Sequence, residues 1–74
     1  MAEKTDWEMK AANILKAELK RKGVTYAQLV ERLAAIGVDE KEVNVRNKLS
    51  RGKFTAVYFL QCLEAIDCHR LDLG

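Results

Sequence analysis

Five bases crowd one short stretch of this 74-residue chain: Lys41, Arg46, Lys48, Arg51 and Lys53 stand against the single acid Glu42 in KEVNVRNKLSRGK. Residues 1–40 carry seven bases and seven acids and cancel, while residues 54–74 hold three acids to one base, so a whole-chain charge of +2 hides a local +4. Two asparagines, Asn44 and Asn47, are interleaved with the bases. Lysine and arginine attract a phosphate backbone whatever its sequence, and arginine and asparagine can pair with guanine and adenine edges. The chemistry on offer is therefore recognition of a polyanion. The plain alternative is a solvated charged face, as most charge runs are.

Other chemistry is poorly supplied. The one histidine, His69, falls in a C-terminal tail, and there is no nucleophile motif or glycine-rich phosphate loop. An enzyme is not expected, and neither is a cofactor. Cys62, Cys68 and His69 give at most three metal ligands, two of them adjacent, where structural zinc takes four. No metal site is expected; Cys62 reads as a small core residue. Two cysteines make no disulfide framework, and no apolar run approaches the ~20 residues of a membrane span. The composition, 49% apolar and 32% charged, is that of a globular, cytoplasmic domain with a small core. Trp7, Tyr26 and Tyr58 are expected in core or rim packing.

A charged segment acts only if something holds it, and the elements read as helices. Proline is absent, and Gly23, Gly37 and Gly52 punctuate the apolar periodicity. One domain, 1–74, is expected, with helices at about 6–22, 26–36, 40–50 and 56–66 and a tail at 67–74. Thr5 with Glu8 makes a capping box for the first helix, whose apolar face is Trp7, Ala11, Ile14, Leu15 and Leu19. Thr25 with Gln28 starts the second, with Val24 and Leu29 as its staple and Tyr26, Leu29, Val30, Leu33 and Ile36 inward. Asp39 is expected to cap the third, with Glu42 as box partner and Val38 stapled to Val43. Thr55 starts the fourth, Phe54 and Phe59 sit at staple spacing, and Leu60, Leu63 and Ile66 point inward. Leu71 and Leu73, alternating with Asp72, fit either a short extended segment or a frayed end.

At 100° per residue the third helix buries Val38, Val45 and Leu49. Its opposite side collects Lys41, Asn44, Asn47, Lys48 and Arg51, with Arg46 on the flank and no acid past Glu42 to pair with them. The preceding turn, Ile36-Gly37-Val38-Asp39, is short and contains glycine, as in units that set a second helix across a first.

From Leu15 to Leu71 the chain resembles the lambda-repressor-like helix-turn-helix domains, including the bacterial xenobiotic-response-element regulators. The residues that carry the likeness are LKRKGVTYAQLVERLAAIGV, then KLSRGKF, then VYFLQCLEAI. TDWEMKAANILKAELKRKGVTY with RNKLSRGKF is also similar to a family of short bacterial proteins of unknown function grouped with that fold. The resemblance implies an all-α bundle of four helices that binds double-stranded DNA, as a bacterial transcriptional regulator or accessory DNA-binding protein. Its recognition face would be Lys41, Asn44, Asn47 and Lys48, with Thr25 and Gln28 touching phosphate or bracing the recognition helix. Arg46, Arg51 and Lys53 complete the basic set. A unit this small binds weakly alone, so a homodimer spanning half-sites about 34 Å apart is the usual solution. Leu71, Leu73 and the aromatic residues of the fourth helix are candidates for its seam. The rival reading is a helical interaction module that takes an acidic partner protein and no DNA.

Overall fold

A computed structural model describes residues 5–73. Four α-helices appear in it, and no strand among the described residues: α1 (Asp6–Lys22), α2 (Tyr26–Ala35), α3 (Glu42–Arg51) and α4 (Ala56–Ala65). Residues 1–4 and the last residue of the expected tail, Gly74, lie outside the described residues.

Three helices start where threonine was expected to start them. The Thr5 hydroxyl accepts from the Glu8 amide at 3.1 Å while Glu8 Oε1 accepts from the Thr5 amide at 2.8 Å. Thr25 and Gln28 repeat the reciprocal pair at 3.1 and 2.9 Å. Thr55 accepts from the Tyr58 amide at 2.9 Å. Each hydroxyl satisfies an amide that has no partner within its own helix.

α3 begins differently. Its N-cap is Lys41, which makes no side-chain cap, and Glu42 is the first helical residue, so Asp39 and Glu42 form no capping box. The amide of Lys41 donates instead to Glu40 Oε1 at 3.0 Å. The helix starts two residues later than expected because a residue outside it, Glu40, holds its entrance.

The core gathers Leu15 and Leu19 from α1, Leu29 and Leu33 from α2, Val45 and Leu49 from α3, and Tyr58, Cys62 and Leu63 from α4. Val24 joins them, as its staple role requires, and Phe54 stacks on Phe59 with ring centroids 5.9 Å apart. Four expected inward residues face out: Trp7, 79% exposed, Leu60, 63% exposed, Val43, and Ile36 at the end of α2. α4 carries apolar side chains nearly all round, so periodicity could not say which of them the small core would take. Trp7 lies in the first turn of α1 and lines a groove with Phe59 of α4 and Leu73 of the tail.

The tail is neither strand nor loose end up to Leu71. Asp67 ends α4 in the left-handed region (φ 57°), and the Cys68 amide returns to the Leu63 carbonyl at 2.9 Å. Cys68 Sγ lies 3.3 Å from Glu18 Oε1 and from the Arg70 carbonyl, which ties the tail to α1. Leu71 packs on the core, whereas Leu73 is exposed. No described helix is long and apolar enough to cross a membrane.

Candidate nucleic-acid interface

α3 is held at both ends and along one side. Val45 and Leu49, one turn apart, are fully buried and fix which face turns inward. At the far end Gly52 adopts φ +69°, and its amide donates to the Lys48 carbonyl at 2.9 Å. A Cβ on Gly52 would overlap the Glu8 carbonyl oxygen, so the end of α3 sits directly on the start of α1. α2 packs against α3 on the other side.

The entrance is organised by Glu40, whose side chain is only 5% exposed. Besides the Lys41 amide, its carboxylate accepts from Asn44 Nδ2 at 3.2 Å and from Lys48 Nζ at 3.0 Å. Burial alone would raise its pKa. The hydrogen bonds, Lys48 foremost, outweigh that and hold Glu40 below the ordinary carboxyl range. The same Lys48 ammonium lies 4.2 Å from the centroid of the Tyr58 ring, where a cation is attracted by the π face. The Tyr58 hydroxyl is buried with no partner in hydrogen-bond geometry. Its pKa is pushed upward by burial first, then by its neighbours Cys62 and Glu40. Burial likewise lifts the Cys62 thiol to about 11.

This network redistributes the expected recognition set. Lys48 is half-buried and committed to Glu40 and Tyr58; it could leave them only by stranding a buried carboxylate. Asn44 is exposed but spends one amide hydrogen on Glu40. α3 has no acid past Glu42, as expected, but Glu42 itself and acids from outside the helix reach its bases. Arg46 pairs with Glu42 at 2.8 Å, and Lys53 lies 3.9 Å from Glu8 of α1. The Arg46–Glu42 pair is exposed, worth a few tenths of a kcal/mol to about 1 kcal/mol, so a stronger anion can displace its carboxylate, whereas Glu8 is only 24% exposed. Among the described residues Lys41 and Arg51 make no ion pair, and both are exposed.

Helical geometry sets the outward line of α3 as Val43, Asn47 and Ser50, flanked by Arg46 on one side and by Asn44 and Arg51 on the other. All six are exposed. Val43 is the residue that sequence reasoning placed on the wrong side. Its neighbour Asn47, four residues on, gave the signal, because residues four apart share a face and Asn47 was already assigned outward. Thr25 and Gln28 are exposed at the start of α2, locked to each other's backbone by the capping box. Gln28 accepts there through its carbonyl, which leaves its amide hydrogens directed elsewhere. The structure thus brings Lys41, Asn44, Arg46, Asn47 and Arg51 together on one exposed helix, with Lys53 just past its end, and turns Lys48 away from them.

Among the described residues no three histidine, cysteine or acidic side chains converge as metal ligands would. No curated protein and no solved structure matches the chain. Residues 7–71 match the family described as a domain of unknown function (DUF6471), and with nearly the whole chain inside that match the protein belongs to this family.

Proposed function

We propose that α2, the turn at residues 36–41 and α3 form a helix-turn-helix unit of the lambda-repressor-like type, and that the domain binds duplex DNA with α3 in the major groove. In a bacterial setting such a domain would act as a transcriptional regulator or an accessory DNA-binding protein. The observation that carries the reading is the outward face of α3. Asn47 and Arg51 stand there clear of any ion pair among the described residues, and Arg46 is paired only with the exposed Glu42, on a helix seated against α1 and α2.

Roles follow from position. Asn47, on the outermost line, suits an adenine edge, and the neighbouring Val43 methyls suit the C5-methyl of thymine. Arg51, Lys53 and Lys41 sit at the two ends of α3, where the groove walls rise, and suit phosphates. Arg46 reaches phosphate by exchanging Glu42 for it. Gln28 offers its amide hydrogens from the start of α2. Lys48 acts indirectly, by holding the entrance of α3 through Glu40.

The test is a salt titration with random-sequence duplex. Four to five phosphate contacts per domain would make log K fall with log salt at a slope of roughly −4. Arg51→Ala should reduce that slope by about one and weaken all sequences alike. Asn47→Ala should instead relax base preference, by about 1–3 kcal/mol of discrimination if its contact is bidentate. If the folded wild-type chain binds no duplex at low salt and an acidic protein binds the same face, the domain is an interaction module and this reading falls.

A further inference from the structure

Asn44 and Asn47 both stand on the exposed side of α3, yet their amides are held differently. The Asn44 amide is clamped. Its Nδ2 lies 3.2 Å from Glu40 Oε1, and an ionised carboxylate only accepts, so the nitrogen and not the oxygen must face it. Glu40 is in no position to follow an amide that flips. Its side chain is almost wholly buried, and its two oxygens are fixed by the Lys41 amide at 3.0 Å and the Lys48 ammonium at 3.0 Å. With the nitrogen drawn back to a buried group, Oδ1 of Asn44 is turned away from the protein, towards the space a duplex would occupy. Flipping the amide would set Oδ1 against the carboxylate and forfeit a charge-assisted hydrogen bond. Asn47 makes no side-chain hydrogen bond among the described residues, so its amide can turn either way.

We infer that Asn44 is a specificity-determining acceptor: it takes a base whose major-groove edge presents an exocyclic amino group, cytosine or adenine, and rejects guanine and thymine at the same position of that strand. The inference rests on the reading that α3 enters the major groove, and it assigns to that site the class of base it selects. Cytosine offers its N4 amino group and adenine its N6 amino group as donors, whereas guanine O6 and thymine O4 are acceptors. An outward Oδ1 completes a hydrogen bond with either of the first two and opposes a lone pair on either of the others. The choice is made by Glu40, which never touches the duplex. Asn47, with no such clamp, is not confined to that class of base.

The experiment is selection of bound sequences from a randomised duplex library, with the wild-type chain, Asn44→Ala and Glu40→Gln run side by side. Asn44 is exposed, so its truncation should keep the helical circular dichroism. At one position the wild type should favour adenine or cytosine over guanine and thymine at least about fivefold, the low end of what one base contact discriminates, and the selected sequences say which of the two it is. Asn44→Ala should level that position alone and leave the salt slope on random duplex unchanged, which loss of a phosphate contact would not do. The amide of Glu40→Gln can donate as well as accept, so Asn44 can flip and guanine or thymine should enter at that position. The clamp also has a readout without DNA. In the free wild-type chain the Asn44 side-chain amide hydrogens should resonate downfield of those of Asn47 by NMR. A wild type that binds no duplex overturns the groove reading and this inference together. A wild type that binds, while Asn44→Ala changes no base preference or levels a position that favoured guanine or thymine, overturns this inference alone. So does a folded Glu40→Gln that keeps the wild-type preference. If Glu40→Gln does not fold, the wild-type amide resonances decide, and coincidence of Asn44 with Asn47 overturns the inference.

Discussion

Leu49 and Leu60 are both leucines at apolar helical positions, and they should respond to truncation in opposite ways. Leu49 is fully buried among the other helices, so Leu49→Ala should cost about 2–5 kcal/mol in urea denaturation. Leu60 faces solvent, and Leu60→Ala should stay within about 0.5 kcal/mol of the parent. A second contrast concerns the carboxyls. Arg21 is the main cause that holds Glu18 below its ordinary value of 4.5, against burial, with the Cys68 thiol assisting. Burial is the largest influence on Glu40, yet its hydrogen bonds together carry it below 4.5 too. A carboxyl whose folded-state pKa is depressed stabilises the fold above its unfolded value, and that contribution vanishes as pH falls through the folded value. Thermal unfolding should therefore show the contribution of these two groups intact at neutral pH and falling away below pH 4.5. Glu40→Gln should remove part of that acid-side decline. The buried thiol of Cys62, with its pKa raised to about 11, should resist alkylation at pH 8 until the chain unfolds.

At the scale of elements, what could be read from the sequence was what is decided locally. Thr5, Thr25 and Thr55 each cap the helix that follows because the hydroxyl and the amide it satisfies are three residues apart. The start of α3 escaped that logic. Its organiser, Glu40, answers to Lys48 eight residues later and to the Tyr58 environment on another helix, contacts that exist only once the helices have packed. The same limit explains the candidate site. The exposed positions of Val43, Asn47, Arg46 and Arg51 follow from periodicity, whereas the inward turn of Lys48 depends on neighbours in space. Two of the three positive-φ glycines, Gly23 and Gly52, make a test of packing. Gly23→Ala meets no atom within 4 Å and should cost only the backbone penalty, about 1–2 kcal/mol. Gly52→Ala would add an impossible approach to the Glu8 carbonyl, and should cost at least about twice as much by urea denaturation.

For the molecule as a whole, the small core is offset by connectivity. α1 packs on α3 and α4, and α2 packs on α3 and α4, while the backbones of α1 and α2, like those of α3 and α4, do not approach each other. Of the three pairs of helices adjacent in sequence, only α2 and α3 bring their backbones close together. The first two helices therefore cannot form a hairpin in advance of the last two, nor the last two in advance of the first. Folding has to close the chain on itself before most contacts form, which predicts one cooperative transition and slower folding than a bundle of sequential hairpins. It also makes the halves mutually dependent. A chain cut in the exposed turn between Gly37 and Val38 should give two fragments that are each largely unfolded alone, as circular dichroism would record, yet recover the four-helix spectrum when mixed. Interlacing of this kind turns one short turn into the place where the domain can be divided and, by its own partners, reassembled.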